Sequence, residues 1–91
     1  MATRLTVHVR LLGFYQMMLG KMYEDVTLEE GSNLDDLWNH FRNSYVQLRD
    51  SDMKSIAGMS VNGIYVPRDK WSNFIIGDDS DIDLISQMAG G

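Results

Sequence analysis

The residues best suited to chemistry are the last two, Gly90 and Gly91, which place a carboxylate at the end of a segment without side chains. Glycine lacks a Cβ and reaches backbone conformations closed to other residues, so such a segment fits a narrow pocket. Ala89 keeps the approach to the pair thin, and we assign Met88 to the same access segment. The pattern predicts a carboxylate that is threaded into another protein's active site and activated there, with Gly91 as the reacting residue.

The sequence offers no nucleophile and base of its own. It contains no cysteine, which excludes disulfides, thiolate metal sites and a cysteine nucleophile. The two histidines, His8 and His40, are far apart and belong to different predicted elements, so we interpret each as a solvated surface side chain. We therefore expect no catalytic constellation within this chain, so that it would be a substrate of other enzymes and not itself an enzyme.

Three acidic residues near the end of the chain, Asp79, Asp81 and Asp83, have the alternating spacing with which a calcium-binding loop begins. Such a loop needs glycine at its sixth position and a bidentate glutamate at its twelfth. Leu84 and Gly90 occupy those positions here. We interpret the run as a charged turn and strand edge, and we expect no metal site and no bound cofactor.

Composition limits the class of protein and of partner. With 91 residues, of which 44% are hydrophobic, the chain suffices for one small core, and we expect a single domain over residues 1–91. The formal net charge of −5 disfavours nucleic acid and anionic membranes as partners and favours a partner with a basic surface. We find no signal peptide and no membrane-spanning apolar run, so we expect a cytoplasmic protein.

Two strands and a loop are predicted in the first third of the chain. Apolar and polar residues alternate over residues 4–12, which is typical of a half-buried strand. Residues 13–21 read as a loop that Gly20 closes. A second strand is expected over residues 22–28, although Glu24 breaks its apolar pattern.

The following segment is predicted to be the main helix. Ser32 or Asn33 is the expected N-cap, because each has an acidic residue three positions later. One apolar stripe at helical spacing then comprises Leu34, Leu37, Trp38, Phe41, Tyr45 and Leu48. Arg42 and Arg49 are expected near the C-terminal end, where the helix dipole favours cations.

The C-terminal half is predicted to supply further strands against this helix. Asn62-Gly63 is a type I′ hairpin signal between short strands over residues 57–61 and 64–66. A packed connection over residues 68–77 is expected to be anchored by Trp71, Phe74 and Ile76. The last strand is predicted over residues 81–88. The order indicates an α+β domain in which one main helix lies across one small sheet.

This ββαββ order with a terminal Gly-Gly resembles the MoaD/ThiS family of ubiquitin-like β-grasp sulfur carriers. The N-terminal half, from Val7-His8-Val9-Arg10-Leu11-Leu12-Gly13 to Leu34-Asp35-Asp36-Leu37, is similar to the molybdopterin-type members. Val66-Pro67-Arg68-Asp69-Lys70-Trp71 is similar to a run of the thiamine-type members. The family's usual Asp-Gly-Asp turn is Asp78-Asp79-Ser80 here, so we expect Asp79 to adopt a conformation normally given to glycine.

The resemblance implies a β-grasp fold with a mixed sheet of four to five strands and a flexible reactive tail over residues 87–91. It also implies three partners: an adenylyltransferase like the ubiquitin-activating enzymes, which uses ATP; a sulfur donor of the cysteine desulfurase or rhodanese type; and an acceptor enzyme. The acceptor would be thiazole synthase or the large subunit of molybdopterin synthase. A ubiquitin-like modifier joined to lysines through Gly91, or a β-grasp interaction module with an inert tail, would share the same pattern.

Docking to such partners requires exposed apolar residues. On the sheet face opposite the helix we expect Ile85, near His8 and Arg10, and Tyr65. The segment over residues 14–19 is apolar where loops are normally polar. Its Met17 and Met18 are the predicted contact residues, because methionine adapts to varied surfaces.

Overall fold

A computed structural model describes residues 3–86, so the predicted tail over residues 87–91 lies outside the described part of the chain. The elements follow in the order β1 Arg4–Leu11, α1 Phe14–Leu19, β2 Tyr23–Glu29, α2 Leu34–Ser44, α3 Ser51–Ser55, β3 Ala57–Val61, β4 Ile64–Val66 and β5 Asp81–Ser86. Two 3-10 turns, Val46–Arg49 and Arg68–Asn73, lie between them.

The five strands form one mixed sheet in the order β2-β1-β5-β3-β4. The central strands β1 and β5 are parallel, and every other neighbouring pair is antiparallel. Helix α2 covers one face of this sheet. The other face, which we call the open face, carries the polar residues of each strand. This is the β-grasp arrangement, so the predicted fold is confirmed.

The core lies between α2 and the sheet because both contribute one-sided apolar patterns. Strand β1 alternates as predicted, with its inward residues fully or almost fully buried. These pack with the buried side chains of α2, Leu34, Leu37, Trp38 and Phe41. Trp38 and Trp71 belong to this core, as the sequence predicts, and the Trp71 indole donates to the Val66 carbonyl at 2.9 Å.

Helix α2 begins at the predicted cap and ends earlier than predicted. The Asn33 side chain accepts from the Asp36 N–H, and the Asp36 carboxylate accepts from the Asn33 N–H, which makes a reciprocal capping box. Tyr45 has extended backbone angles and ends the helix. Leu48 is nevertheless buried, because the 3-10 turn that follows returns it to the core. The Arg49 guanidinium then donates to the carbonyls of Arg42 and Asn43.

The prediction of a loop over residues 13–21 is wrong for its central part. Phe14–Leu19 is a helix, and Tyr15 within it is completely buried. The Tyr15 hydroxyl donates to the Met53 carbonyl, which ties α1 to α3. The segment before β3 contains the short helix α3, and this contact fixes α1 against it.

Glu24 breaks the pattern of β2 because it serves a polar contact beneath α2. Its carboxylate accepts from the Lys21 ammonium at 2.9 Å and from the Tyr45 hydroxyl. His40 lies 3.7 Å from its other oxygen. Partial burial opposes ionisation of Glu24, but Lys21 and Tyr45 outweigh it and lower the pKa of the carboxyl.

Two turns adopt the backbone conformations that their sequences predict. Asn62 and Gly63 have φ of 50° and 86°, as a type I′ hairpin requires, and they join the predicted strands β3 and β4. Asp79 has φ of 64° and so takes the conformation normally given to glycine. Its N–H donates to the Thr6 carbonyl at 2.8 Å, which fixes the turn against β1.

Over residues 3–86, no helix is both long and apolar enough to cross a membrane.

Candidate functional site

The predicted reactive residues follow directly on the central strand β5. Met88, Ala89, Gly90 and Gly91 lie outside the described residues, and the last described residue is Ser86. Strand β5 is paired on both sides, with β1 and with β3. The chain therefore reaches its C-terminal segment from the middle strand of the sheet.

Helix α1 meets the end of β5 at this point. The Phe14 N–H donates to the Ser86 hydroxyl at 3.0 Å, and Gly13 lies against the same hydroxyl. Neither Ser86 nor Gly13 is among the predicted site residues. In the sequence, only the position of Gly13 before an apolar segment could have pointed to this contact. The contact itself depends on the parallel pairing of β1 with β5, which brings the start of α1 to Ser86.

The predicted docking residues are placed in different ways. Ile85 and Tyr65 lie on the open face; Ile85 is half-buried and the Tyr65 side chain is 48% exposed. Met17 on α1 is 80% exposed. Met18 is half-buried and packs partly against the core. The helical turn of α1 separates the two side chains.

A row of register partners crosses the open face from edge to edge and consists of Tyr23, Arg10, Asp83, Ser60 and Tyr65. Its centre is polar, because the Arg10 guanidinium donates twice to the Asp83 carboxylate, at 2.9 and 3.0 Å. The Ser60 hydroxyl lies 3.4 Å from the same carboxylate. An exposed tyrosine stands at each edge. Ile85 lies one row nearer the tail, opposite Gly58.

The next row away from the tail contains an ion-paired histidine. His8 Nδ1 lies 2.8 Å from Asp25, and its Nε2 lies 2.7 Å from Asp79. Hydrogen bonds to Asp25 and Asp79 raise the pKa of His8 to about 9, so the ring is a cation at neutral pH. His8 therefore lies at the surface, as predicted, but it is held there in two ion pairs. It joins β1, β2 and the turn before β5.

The ion-paired His8 is not placed to activate a nucleophile. Both ring nitrogens of His8 are held by carboxylates, so the ring has no nitrogen directed at a nucleophile. In the described part of the chain, no three His, Asp or Glu side chains are grouped so as to hold a metal ion. What the described geometry offers is a surface beside the start of the C-terminal segment.

Sequence comparison identifies the family. The sequence model of the ThiS family matches residues 9–91. No curated protein is significantly similar in sequence to this chain.

Several solved structures share the fold. The Haloferax volcanii HVO 2177 protein superposes with a TM-score of 0.81 at 13% identity, over 97% of this chain and 88% of that one. The small archaeal modifier protein 1 of Methanosarcina acetivorans gives a TM-score of 0.71 at 16% identity, over 98% and 99%. A chain of the complex of subunits 1 and 2 of the Helicobacter pylori molybdopterin-converting factor gives 0.59 at 17% identity, over 96% and 100%.

The family match covers most of the chain, and the β-grasp sheet agrees with it. The chain therefore belongs to the ThiS family.

Proposed function

We propose that this protein is a sulfur carrier whose reacting group is the carboxylate of Gly91. A partner adenylyltransferase of the ubiquitin-activating type binds the domain and brings Gly91 to ATP. A carboxylate oxygen attacks the α-phosphate, and the bond to the bridging oxygen breaks. The products are an acyl-adenylate and pyrophosphate.

The second step exchanges oxygen for sulfur. The terminal sulfur of a persulfide, on a donor of the cysteine desulfurase or rhodanese type, attacks the acyl carbon and displaces AMP. A second thiol cleaves the resulting acyl disulfide, which leaves a thiocarboxylate on Gly91 and a disulfide on the donor side. An acceptor enzyme in the cytoplasm, thiazole synthase or the large subunit of molybdopterin synthase, then takes the sulfur.

The observation that carries this proposal is the extent of the family match. It runs from residue 9 to residue 91 and thus includes the terminal Gly-Gly as well as the folded body. The ThiS relationship favours thiazole synthase as acceptor. The structural likeness to a complex of molybdopterin-converting factor subunits supports the second acceptor.

The tail length requires docking close to the partner's active site. Five residues after Ser86 span at most about 17 Å when extended. We propose that apolar side chains outside the core make this contact, with the exposed Met17 and Tyr65 and the half-buried Ile85 as the main residues. Met18 contributes less, because part of it packs in the core.

A second function is a protein modifier that forms an isopeptide bond between Gly91 and lysines of target proteins. The likeness of the fold to small archaeal modifier protein 1 favours this alternative. It shares the adenylation step with the sulfur carrier but differs in the group that attacks the acyl carbon.

Intact mass distinguishes the two functions. We expect that the cognate adenylyltransferase, ATP and a sulfur donor replace one oxygen of the protein by sulfur, and that fragmentation locates the change at Gly91. The product should pass sulfur to one of the two acceptor enzymes. Lysine conjugates without thiocarboxylate would establish the modifier function, and an unchanged mass with all components present would exclude the carrier.

Substitutions in the tail test the reacting position. Gly91→Ala should slow adenylation, measured as ATP–pyrophosphate exchange, because its methyl group crowds the acyl-adenylate. Ala89→Gly is the matched control, since it exchanges the same two residue types two positions earlier, and it should have a smaller effect. Equal rates for both variants would contradict Gly91 as the reacting residue.

A further inference from the structure

We propose that Ser86 is a positioning residue for the reactive tail. Its hydroxyl holds Ser86, the residue from which the tail over residues 87–91 continues, and thereby sets where the Gly91 carboxylate is delivered. This role rests on the proposed function, because it matters only if Gly91 must reach a partner's active site.

The backbone hydrogen bonds between β1 and β5 show how Ser86 acts. The Leu12 N–H donates to the Leu84 carbonyl at 3.0 Å. In a parallel ladder the next bond lies two residues further on each strand, so Phe14 N–H would donate to the Ser86 carbonyl. Phe14 N–H donates to the Ser86 hydroxyl instead, at 3.0 Å. The side chain therefore takes the place of the carbonyl, and the backbone ladder ends at Leu84.

Gly13 makes room for this contact. Its φ of 61° lies in the left-handed region, which lets the chain turn from β1 into α1. A Cβ at this position would lie 2.6 Å from the Ser86 hydroxyl oxygen. Gly13 thus provides both the turn and the space in which the hydroxyl meets Phe14.

The opposite side of Ser86 is held as well. Ser86 pairs with Ala57 of β3. The Ala57 carbonyl accepts from the Arg68 guanidinium at 2.6 Å, which fixes this end of β3 where the short strand β4 has already ended. The residue before the tail is therefore held between α1 and β3.

A fixed starting point has a direct consequence for activation. Moving the start of the tail by one residue changes its reach by roughly 3.4 Å, which is as large as the separation between reacting atoms in a productive complex. Loss of the Ser86 contact should therefore misplace the carboxylate without altering the docking surface. It should lower kcat of adenylation and leave KM unchanged.

The test compares Ser86→Ala, Ser86→Thr and Ser44→Ala in ATP–pyrophosphate exchange with the full-length protein and its adenylyltransferase. Ser86→Ala should lower kcat roughly three- to tenfold, as expected for loss of one hydrogen bond, with KM unchanged. Ser86→Thr keeps the hydroxyl and should restore kcat. Ser44, exposed at the end of α2, is the matched control and should behave as wild type.

Amide hydrogen exchange at Phe14 reports the contact independently of activity. Protection of the Phe14 N–H should be lost in Ser86→Ala and kept in Ser86→Thr. If protection is lost while kcat stays at the wild-type value, Ser86 has only a structural role and the inference is overturned. A rise in KM with unchanged kcat would also overturn it. A wild-type protein that is not adenylated at all would instead overturn the proposed function, and with it this role.

Discussion

At the scale of single residues, His8 shows how neighbours change the meaning of a side chain. By itself it is one polar residue on the outer face of β1. Register places Asp25 opposite it on β2, and the turn before β5 brings Asp79 to its other nitrogen. The ring thereby becomes a cation that links three segments. Both carboxylates are largely exposed, so the free energy of this contact is modest.

The raised pKa of His8 gives stability a pH dependence of known sign. The pKa rises from 6.5 to about 9 on folding, so the protonated ring favours the folded state. This contribution is fully present below pH 6.5 and is lost as the pH rises through about 9. The free energy of unfolding of wild type, relative to His8→Gln, should therefore fall between these values in denaturant titrations.

Asp25→Asn provides the control for this prediction. It removes the hydrogen-bond partner that raises the pKa of His8 most, and it should therefore lower the pKa of the ring, measured by NMR titration. The pH dependence of unfolding should weaken in parallel. A wild-type pKa near 6.5 would contradict the ion-paired geometry.

At the scale of elements, α2 is specified locally and α1 is not. The capping residues and the apolar stripe of α2 are visible in the sequence, because they follow helical spacing. Helix α1 has six residues, no side-chain cap and no acidic residue in its first turn. Its stability comes from the burial of Tyr15 and from contacts with α3 and β5. Local signals therefore indicate a loop where tertiary packing makes a helix.

Removal of the α2 cap should destabilise the domain measurably. Asn33→Ala removes the acceptor for the Asp36 N–H and also the donor to the Ser72 carbonyl. We expect a loss of about 1 to 2 kcal/mol in the free energy of unfolding, measured by denaturant titration. Asn39→Ala, at an exposed position of the same helix, should change it by less than about 0.5 kcal/mol. Equal effects would show that the cap contributes nothing specific.

At the scale of the whole molecule, stability depends on the central strands. Ile82 of β5 is completely buried between β1 and β3, whereas Ile64 on the edge strand β4 is 70% exposed. Ile82→Ala should cost about 2 to 5 kcal/mol, because it removes buried methyl groups and leaves a cavity. Ile64→Ala is the matched control and should cost less than about 0.5 kcal/mol. Thermal and denaturant unfolding measure both, and similar losses would contradict the sheet order.

The sequence alone determined the elements that local chemistry specifies. The alternation of apolar and polar residues predicts β1. Asn62-Gly63 predicts where β3 ends and β4 begins, and Asn33 predicts the start of α2. The need for a left-handed residue at Asp79 also follows from the sequence, by resemblance to the family's turn. The reactive role of Gly91 remains a prediction, because the tail lies outside the described residues.

The tertiary structure alone decided which distant residues meet. The parallel pairing of β1 with β5 joins segments about seventy residues apart and brings Asp79 to His8 and Ser86 to Phe14. Packing of α1 against the core buries Tyr15 and part of Met18, which the apolar segment around them does not distinguish from Met17. The physical reason is that strand register and burial depend on how elements pack, and no local pattern of residues encodes that arrangement.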